Sequence, residues 1–276
     1  MAIHGLMKYT PFYRELADVL VGVDRLKRSL SRLLWALRLT ERLTREYSMK
    51  AAKCFSAEEA RYIRREYYGR LASVLREVDE EFKLLNEAGG LLSKLPDIDP
   101  EKPTIVVAAP PNVGKSTLVR RVSTAEPEIA SYPFTTKNLI LGHIEVRKGV
   151  IVQIMDTPGL LDRPLSERNR IELQAITALK HVASVIIFMI DPTHHAGYPL
   201  KYQLRVLKEI ADSFSDVPIV VAINKVDIAK PEDIEKAREE IAKMGLEFPL
   251  FEISAARGDG VDKLMKEVLR LILGST

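Results

Sequence analysis

Three consecutive residues, Gly114, Lys115 and Ser116, follow a short apolar segment and open a stretch of helical character. They match the second half of the phosphate-binding loop pattern, in which glycine and four further residues precede Gly-Lys-Ser/Thr. In such loops the backbone N–H groups surround the phosphates, the lysine binds the outer phosphates and the hydroxyl binds Mg²⁺. The sequence therefore indicates a nucleotide-phosphate site that uses Mg²⁺.

The first half of this loop departs from the pattern. Ala109 stands at the position of the leading glycine, and Pro110 and Pro111 follow it. A residue before proline is restricted to extended conformations, in which a Cβ atom costs little. The prolines lie before the phosphate-facing stretch, whose residues all keep their backbone N–H groups. We therefore interpret the loop as intact, with these candidate phosphate contacts: Asn112, Val113, Gly114, Lys115, Ser116 and Thr117.

A carboxylate and a glycine follow at the end of a later apolar segment, in the string MDTPG. Asp156 is placed to hold Mg²⁺ through a water molecule, and the N–H of Gly159 is available to a γ-phosphate. The candidate Mg²⁺ ligands in these two strings are therefore Ser116 and Asp156.

The string NKVD, residues 224–227, ends another apolar segment. A carboxylate at Asp227 can accept both the N1–H and the exocyclic amine of guanine, and it would be left unpaired by adenine. The stem of Lys225 can lie along the base, and Asn224 can tie this loop to the phosphate loop. Donors to guanine O6 are expected at the end of the last apolar segment, in Ser254, Ala255 and Ala256. Together the four strings predict GTP and GDP as ligands.

The elements that carry these strings have the pattern of an α/β domain. Six apolar segments between residues 104 and 254 are separated mostly by helical stretches. A short turn around residues 148–149 separates the second segment from the third, which predicts antiparallel pairing. We expect a mainly parallel six-stranded sheet with one antiparallel strand, helices on both faces, and sites at the carboxyl ends of the strands.

The first third of the chain has a different character. Between Pro11 and Pro96 there is no proline, and leucines recur at helical spacing. This predicts an antiparallel α-helical bundle. We assign residues 1–95 to the bundle, 96–103 to a proline-rich linker, and 104–276 to a P-loop GTPase domain.

Charge is distributed unevenly along the 276 residues. Residues 1–95 carry 18 basic and 13 acidic side chains, whereas the remainder has a net charge of −2. On a helical wheel, the basic residues between 25 and 53 fall within about half of the circumference. These are Arg25, Lys27, Arg28, Arg32, Arg38, Arg42, Arg45, Lys50 and Lys53, with Trp35 near the middle. The leucines on the other side are Leu26, Leu30, Leu33, Leu34 and Leu37.

A one-sided basic face of this kind suits phosphate contacts along RNA, and the alternative is an ordinary solvated helix face. Tyr62, Tyr67 and Tyr68 alternate with arginines and could stack on RNA bases, although helical spacing places some of them in the core. We predict RNA as the partner of this face.

The cysteine content, the apolar runs and the histidines indicate the compartment and the kinds of site to expect. The single cysteine, Cys54, fits a reducing compartment, and the longest apolar run is too short to span a bilayer. We expect a soluble, cytoplasmic protein that is monomeric when free. The adjacent His194 and His195 fit no zinc pattern, and we assign residues 191–198 to a solvated loop.

The string YPFTTKN, residues 132–138, resembles the Obg branch of the translation-factor-like GTPases. Two further strings, at 156–179 and 91–100, resemble the nucleolar GTP-binding proteins of large-ribosomal-subunit assembly. The chain ends at Thr276 without the long extension of the eukaryotic members, which indicates a minimal, archaeal-type version.

This resemblance implies ribosomal RNA and the pre-ribosomal large subunit as partners, and it implies further roles for individual residues. Thr136, or failing that Thr135, is expected to close over Mg²⁺ and the γ-phosphate. Asn112 is expected to help hold K⁺ beside the phosphates, or else only to shape the loop. With Lys115 and Gly159, these residues form the candidate catalytic group.

Leu160 occupies the position at which Ras-like GTPases carry the glutamine that orients the attacking water. Since the leucine side chain can neither donate nor accept a hydrogen bond, it cannot orient this water, and intrinsic hydrolysis should be slow. The leading hypothesis is a GTP-hydrolysing switch in large ribosomal subunit biogenesis. The alternatives are a GTPase that regulates mature ribosomes, and a GTP-binding scaffold with negligible turnover.

Overall fold

The computed structural model describes residues 11–130, 138–193 and 195–274. Its helices are α1 (Pro11–Leu20), α2 (Val23–Ala52), α3 (Ala57–Glu77), α4 (Asp79–Leu92), α5 (Lys115–Val122), α6 (Arg170–Leu179), α7 (Leu200–Ser213), α8 (Pro231–Ala242) and α9 (Val261–Leu273), with a 3₁₀ helix at Leu165–Glu167. Its strands are β1 (Thr104–Ala108), β2 (Glu128–Ala130), β3 (Leu139–Arg147), β4 (Val150–Asp156), β5 (Ala183–Ile190), β6 (Ile219–Ile223) and β7 (Leu250–Glu252). Within these ranges, no helix combines the length and the apolar character needed to cross a membrane.

The strands in the described ranges form one sheet in the order β2-β3-β4-β1-β5-β6-β7. β3 runs antiparallel to both of its neighbours, and the other neighbouring pairs are parallel. The predicted mainly parallel sheet with one antiparallel strand is confirmed, but the described residues form seven strands rather than the predicted six. The additional strand, β2, has three residues and is defined by pairing, with Ile129 opposite Ile140. It has no apolar run that could have predicted it.

Apolar strands are covered on both faces of this sheet. Successive side chains of a strand point to opposite faces. In β1, Ile105 and Val107 therefore belong to one hydrophobic core, and Val106 and Ala108 belong to the other. Residues of α6, α7 and α8 complete the second core, whereas α5 and α9 complete the first. The carboxyl ends of the strands, where the predicted site lies, are thus held by two packed layers.

Contacts divide the chain into two compact units. We call Ala17–Ser93 the helical unit, and residues 11–16 together with 94–274 the sheet unit. This division differs from the boundaries drawn from the sequence, which placed the start of the chain in the bundle and treated residues 96–103 as a linker.

Residues on both sides of the helical unit in sequence are packed into the sheet unit. Phe12 and Leu16 are fully buried in the same core as Ile98. The Tyr13 hydroxyl oxygen lies 2.8 Å from the carbonyl oxygens of both Pro96 and Ile98, so either carbonyl can accept its proton. The stretch predicted as a linker is therefore in part a structural segment, because Ile98 is buried by these contacts.

Within the helical unit, α2 and α3 run antiparallel. Arg32, early in α2, lies beside Glu77 at the end of α3, and Thr44, later in α2, contacts Tyr67, which is earlier in α3. Their shared core contains Ala36, Leu43, Tyr47, Val74 and Val78.

Two of the leucines that lie opposite the basic residues on the helical wheel of α2 are exposed. Leu34 and Leu37 retain 54% and 55% of their exposure, and Trp35 retains 44%. The face that meets α3 is instead centred on Ala36 and Leu43. Leucines occupy so much of this helix that their spacing alone does not identify the side that packs against α3.

Candidate guanine nucleotide site

The phosphate-binding loop lies between β1 and α5. Asn112 and Gly114 both have positive φ, 63° and 112°, a conformation that favours glycine. A Cβ atom on Gly114 would collide with the amide of Asn224, so the glycine is required by close packing as well as by its backbone. Val113, between them, is fully buried. The Asn112 side chain is exposed, and Thr117 is exposed in the first turn of α5.

Lys115 begins α5 and is nearly buried. Its ammonium group donates to the carbonyl oxygens of Ala109 and Pro110, at 2.9 and 3.1 Å. The unusual first half of the loop therefore provides acceptors that hold the lysine over the loop. Ser116 follows at the next position, half-buried.

Asn224 joins three loops through one buried side chain. Its amide nitrogen donates to the Val113 carbonyl at 2.8 Å, and its amide oxygen accepts from the Ala255 N–H at 2.8 Å. The first contact matches the tie that the sequence suggested, and the second was not foreseen. The phosphate loop, the loop after β6 and the loop after β7 are thereby held in one arrangement.

Lys225 forms an ion pair that the sequence did not suggest. Its ammonium lies 2.6 Å from Asp191, whose side chain is fully buried at the end of β5. The Asp191 carboxylate also accepts from the N–H and the hydroxyl of Thr193 and from the N–H of Ala196. Burial by itself raises the pKa of Asp191, but the hydrogen bonds from Lys225 and Thr193 outweigh it, so the pKa lies below its ordinary value.

The interpretation of residues 191–198 as a solvated loop was therefore wrong for Asp191. His194 lies outside the described residues. One signal could have found Asp191: it ends an apolar strand adjacent to β6, and the carboxyl ends of adjacent parallel strands meet at the same edge.

Asp227 lies beside an arginine that the sequence analysis did not single out. The Arg257 Nε atom is 3.5 Å from the Asp227 carboxylate. The Asp227 side chain is 13% exposed and that of Arg257 is 64% exposed. The Asp227 carboxylate thus lies near the surface of the site, with the exposed guanidinium of Arg257 next to it.

Of the three N–H groups expected to face guanine O6, two are used inside the protein. The Ser254 N–H donates to the Asp259 carbonyl at 2.9 Å, and the Ala255 N–H donates to Asn224. Arg121 donates to the carbonyl oxygens of Ala255 and Ala256 and so orients this loop. Of the three N–H groups, only that of Ala256 has no hydrogen-bonding partner in the described part of the chain.

Asp156 ends β4 and is almost completely buried, directly opposite Val107 of β1. The adjacent Thr157 hydroxyl donates to the Val107 carbonyl at 3.0 Å. This places the carboxylate at the base of the phosphate loop. One carboxylate and the Ser116 hydroxyl fit Mg²⁺, which prefers oxygen ligands and takes the rest from waters and phosphates.

The other residues predicted to contact the outer phosphate are Thr135, Thr136 and Gly159. Thr135 and Thr136 lie outside the described residues. Gly159 has a φ of 80°, and its N–H donates to the Asp162 carboxylate at 2.8 Å. We predicted that this N–H would be available to a γ-phosphate, but in the structure it is bonded to Asp162. Leu160 is buried in the core of the sheet unit.

Buried Arg168 organises the segment that follows Gly159. Its guanidinium donates to the carbonyl oxygens of Gly159 and Leu160 and to Asp162, each at 2.7 Å. Asp162 and Arg168 lie in the string 156–179 that carries the family resemblance, but the sequence analysis gave neither residue a role, and no local pattern pointed to their contact.

Comparison with known proteins agrees with both units. The family model of nucleolar GTP-binding protein 1 (NOG1) matches residues 170–227, and that of the NOG1 N-terminal helical domain matches residues 5–99. An uncharacterised protein of Methanocaldococcus jannaschii is 44% identical over 228 residues, which cover 83% of this chain and 63% of that protein.

Two named relatives extend the comparison. Nucleolar GTP-binding protein 1 of Drosophila melanogaster is 34% identical over 95% of this chain and 41% of its own length. A crystal structure of a nucleolar GTP-binding protein 1 from Plasmodium falciparum is 35% identical with a TM-score of 0.55, over 65% of this chain and 90% of that one. The chain spans less than two thirds of the length of the first two relatives. These similarities show that the chain belongs to the nucleolar GTP-binding protein 1 family.

Proposed function

We propose that the protein binds GTP in its sheet unit, hydrolyses it slowly, and acts as a switch in the assembly of the large ribosomal subunit. The observation that carries the proposal is the Asn224 side chain, which joins the phosphate loop to both loops that would contact the base. Asp227 lies three residues further along one of these loops. The name of the Drosophila relative supports both GTP binding and a nucleolar role.

Guanine is selected by charge and hydrogen bonding. Asp227 accepts the N1–H and the exocyclic amine, and the Ala256 N–H donates to O6. Adenine would leave the carboxylate unpaired, which gives a large discrimination. The stem of Lys225 lies along the base, and its ammonium is held by Asp191. Arg257 releases Asp227 when the base binds.

Lys115 binds the outer phosphates, and backbone N–H groups of residues 112–117 surround them. Ser116 and, through water, Asp156 hold Mg²⁺, which neutralises charge on the phosphates. Thr136, with Thr135 as the alternative, completes this set by position in the sequence.

Slow hydrolysis is supported by the burial of Leu160. Its side chain is 2% exposed and packs in the core, so it cannot orient a water molecule at the phosphates. K⁺ held by the exposed Asn112 side chain would compensate by stabilising charge between the β- and γ-phosphates.

Replacement of Asp227 tests the guanine assignment. Asp227→Asn should weaken GDP binding by roughly a hundredfold or more while favouring XDP, whose C2 oxygen accepts from an amide. Glu232→Gln, which removes an exposed carboxylate in the first turn of α8, serves as the control and should bind GDP as the unmodified protein does. Unchanged GDP affinity in Asp227→Asn would disprove the assignment.

Turnover in different salts tests the catalytic proposal. The rate should be higher in K⁺ than in Na⁺ by a few fold to a few tens of fold, which corresponds to about 1–2 kcal/mol. Asn112→Leu should abolish this difference and keep GDP binding. Equal rates in both salts would remove Asn112 from catalysis, and negligible turnover even with ribosomal RNA would favour a GTP-binding scaffold.

The helical unit supports an RNA-binding role. Arg25, Arg38, Arg42 and Arg45 are exposed and form no ion pair with any described residue. Arg28 is also exposed, and among the described residues its side chain bonds only to a carbonyl of its own helix. Unpaired arginines on one helix favour contacts with the phosphates of ribosomal RNA.

Two observations refine this proposed RNA-binding face. Arg32 is paired with Glu81 at 2.8 Å, so it is withdrawn from the set. Tyr67 packs against the helical core, whereas Tyr62 and Tyr68 remain 67% and 60% exposed and can stack on unpaired bases.

Co-sedimentation distinguishes the ribosomal targets. With GTP and Mg²⁺, the protein should sediment with precursor large subunits and be released when GDP replaces GTP. Binding to mature ribosomes alone would favour the alternative role as a regulator of translation.

A further inference from the structure

We propose that Asp162 competes with the γ-phosphate for the N–H of Gly159 and thereby sets how strongly the protein prefers GTP over GDP. The inference rests on the proposed nucleotide site, because Gly159 is one of its candidate phosphate donors. It adds a specificity-determining residue that makes no contact with the base.

Both oxygens of the Asp162 carboxylate are engaged. One accepts from the Gly159 N–H at 2.8 Å, and the other accepts from Arg168 at 2.7 Å. The carboxylate is 15% exposed and the guanidinium is 2% exposed. A charge-assisted contact in such a sheltered position is stronger than one at the surface.

Arg168 in turn holds the peptide groups around Gly159. It donates to the carbonyl oxygens of Gly159 and Leu160, at 2.7 Å each. The same guanidinium lies 3.5 Å from Glu172, which pairs with Arg163 at 2.8 Å in the first turn of α6. The carboxylate of Asp162 is therefore fixed by a network that reaches into a helix, rather than resting by chance beside a loop.

A γ-phosphate that takes the Gly159 N–H must displace this carboxylate. A phosphate oxygen and a carboxylate oxygen are both negatively charged acceptors, and they repel each other at a single donor. GDP lacks the γ-phosphate and leaves the bond intact. The energy of the Asp162 contact is thus subtracted from GTP binding but not from GDP binding, and a ligand shifts an equilibrium only by such a difference.

The test is a comparison of GDP and GMPPNP affinities, with Mg²⁺, in the full chain. Asp162→Ala should tighten GMPPNP binding by about tenfold, equal to about 1.4 kcal/mol, and leave GDP binding within about twofold. Asp162→Asn keeps the shape and a neutral acceptor, so it should give a smaller change in the same direction. Glu167→Gln removes a charge from the same segment but lies outside this network, and it should change neither affinity.

GDP binding also reports whether each variant is folded. If Asp162→Ala fails to fold, Asp162→Asn decides the question. An unchanged ratio of GDP to GMPPNP affinity in a variant that binds GDP normally would overturn the proposal and leave the nucleotide site standing. Equal weakening of both ligands would show a purely structural role. Failure of the unmodified protein to bind either nucleotide would overturn the proposed function together with this inference.

Discussion

In the sheet unit, Lys115 and Asn224 are buried and hydrogen-bonded to backbone groups, whereas the candidate RNA-binding arginines of the helical unit are exposed and mostly lack ion pairs with described residues. Asn224 is 3% exposed with both ends of its amide in hydrogen bonds. Arg38 and Arg42 are exposed on α2, without ion-pair partners in the described part of the chain. The first arrangement is pre-organised for a small ligand of fixed shape. The second suits a large polyanion, which needs charge more than exact position.

If this contrast is correct, the largest effect should come from breaking the sheet-unit site. Asn224→Ala would leave the Val113 carbonyl and the Ala255 N–H buried without their partner, at about 1–3 kcal/mol for each group. GDP affinity should fall at least about a hundredfold. Calorimetric titration with GDP and a thermal denaturation curve measure the two effects separately. Retention of full affinity would show that the loops are positioned independently of Asn224.

A smaller effect is expected in the helical unit, where each arginine acts separately. Replacing Arg38, Arg42 and Arg45 together with glutamine should weaken binding to ribosomal RNA and lower the salt dependence of log K by about one for each lost phosphate contact. Filter binding at several salt concentrations measures the slope. Arg32→Gln is the matched control, because Arg32 is paired with Glu81 and should leave the slope unchanged. If the control and the triple variant behave alike, the RNA-binding face has been placed wrongly.

The smallest expected effect concerns pH. Because the pKa of Asp191 is held below its ordinary value, the ionised carboxylate stabilises the folded protein above its unfolded-state pKa of about 3.9, and this contribution is lost as pH falls through the folded-state pKa. Asp191→Asn should therefore lower the free energy of unfolding at pH 7, and the difference between the variant and the unmodified protein should shrink below about pH 4. Urea denaturation of both proteins across this range measures it. A difference independent of pH would mean that the Lys225 ion pair does not stabilise the fold.

The parts of the site predicted from the sequence are those with a local physical cause. Short apolar runs predicted β1, β4, β5 and β6, because covered strands are apolar on both faces. The glycine and lysine at residues 114–115 have a mechanism that does not depend on distant residues. The tie from Asn224 to the phosphate loop could be suggested since the ends of parallel strands converge.

The parts that could not be predicted depend on contacts between distant or unpatterned residues. Asp191 meets Lys225 across 34 positions, and Arg168 reaches Asp162 within a segment that has no periodicity. On α2, leucines occupy more of the helix than its partner can cover, so Leu34 and Leu37 are exposed. Such choices are decided by packing rather than by propensity.

Binding of GTP and ATP to the same preparation, measured by calorimetric titration with Mg²⁺, tests the central claim most directly. With Asp227 in one of the loops that Asn224 joins, GTP should bind with a stoichiometry near one, and ATP should bind at least about a hundredfold more weakly than GTP. Equal affinity for ATP and GTP would contradict the assignment of the sheet unit as a guanine nucleotide site.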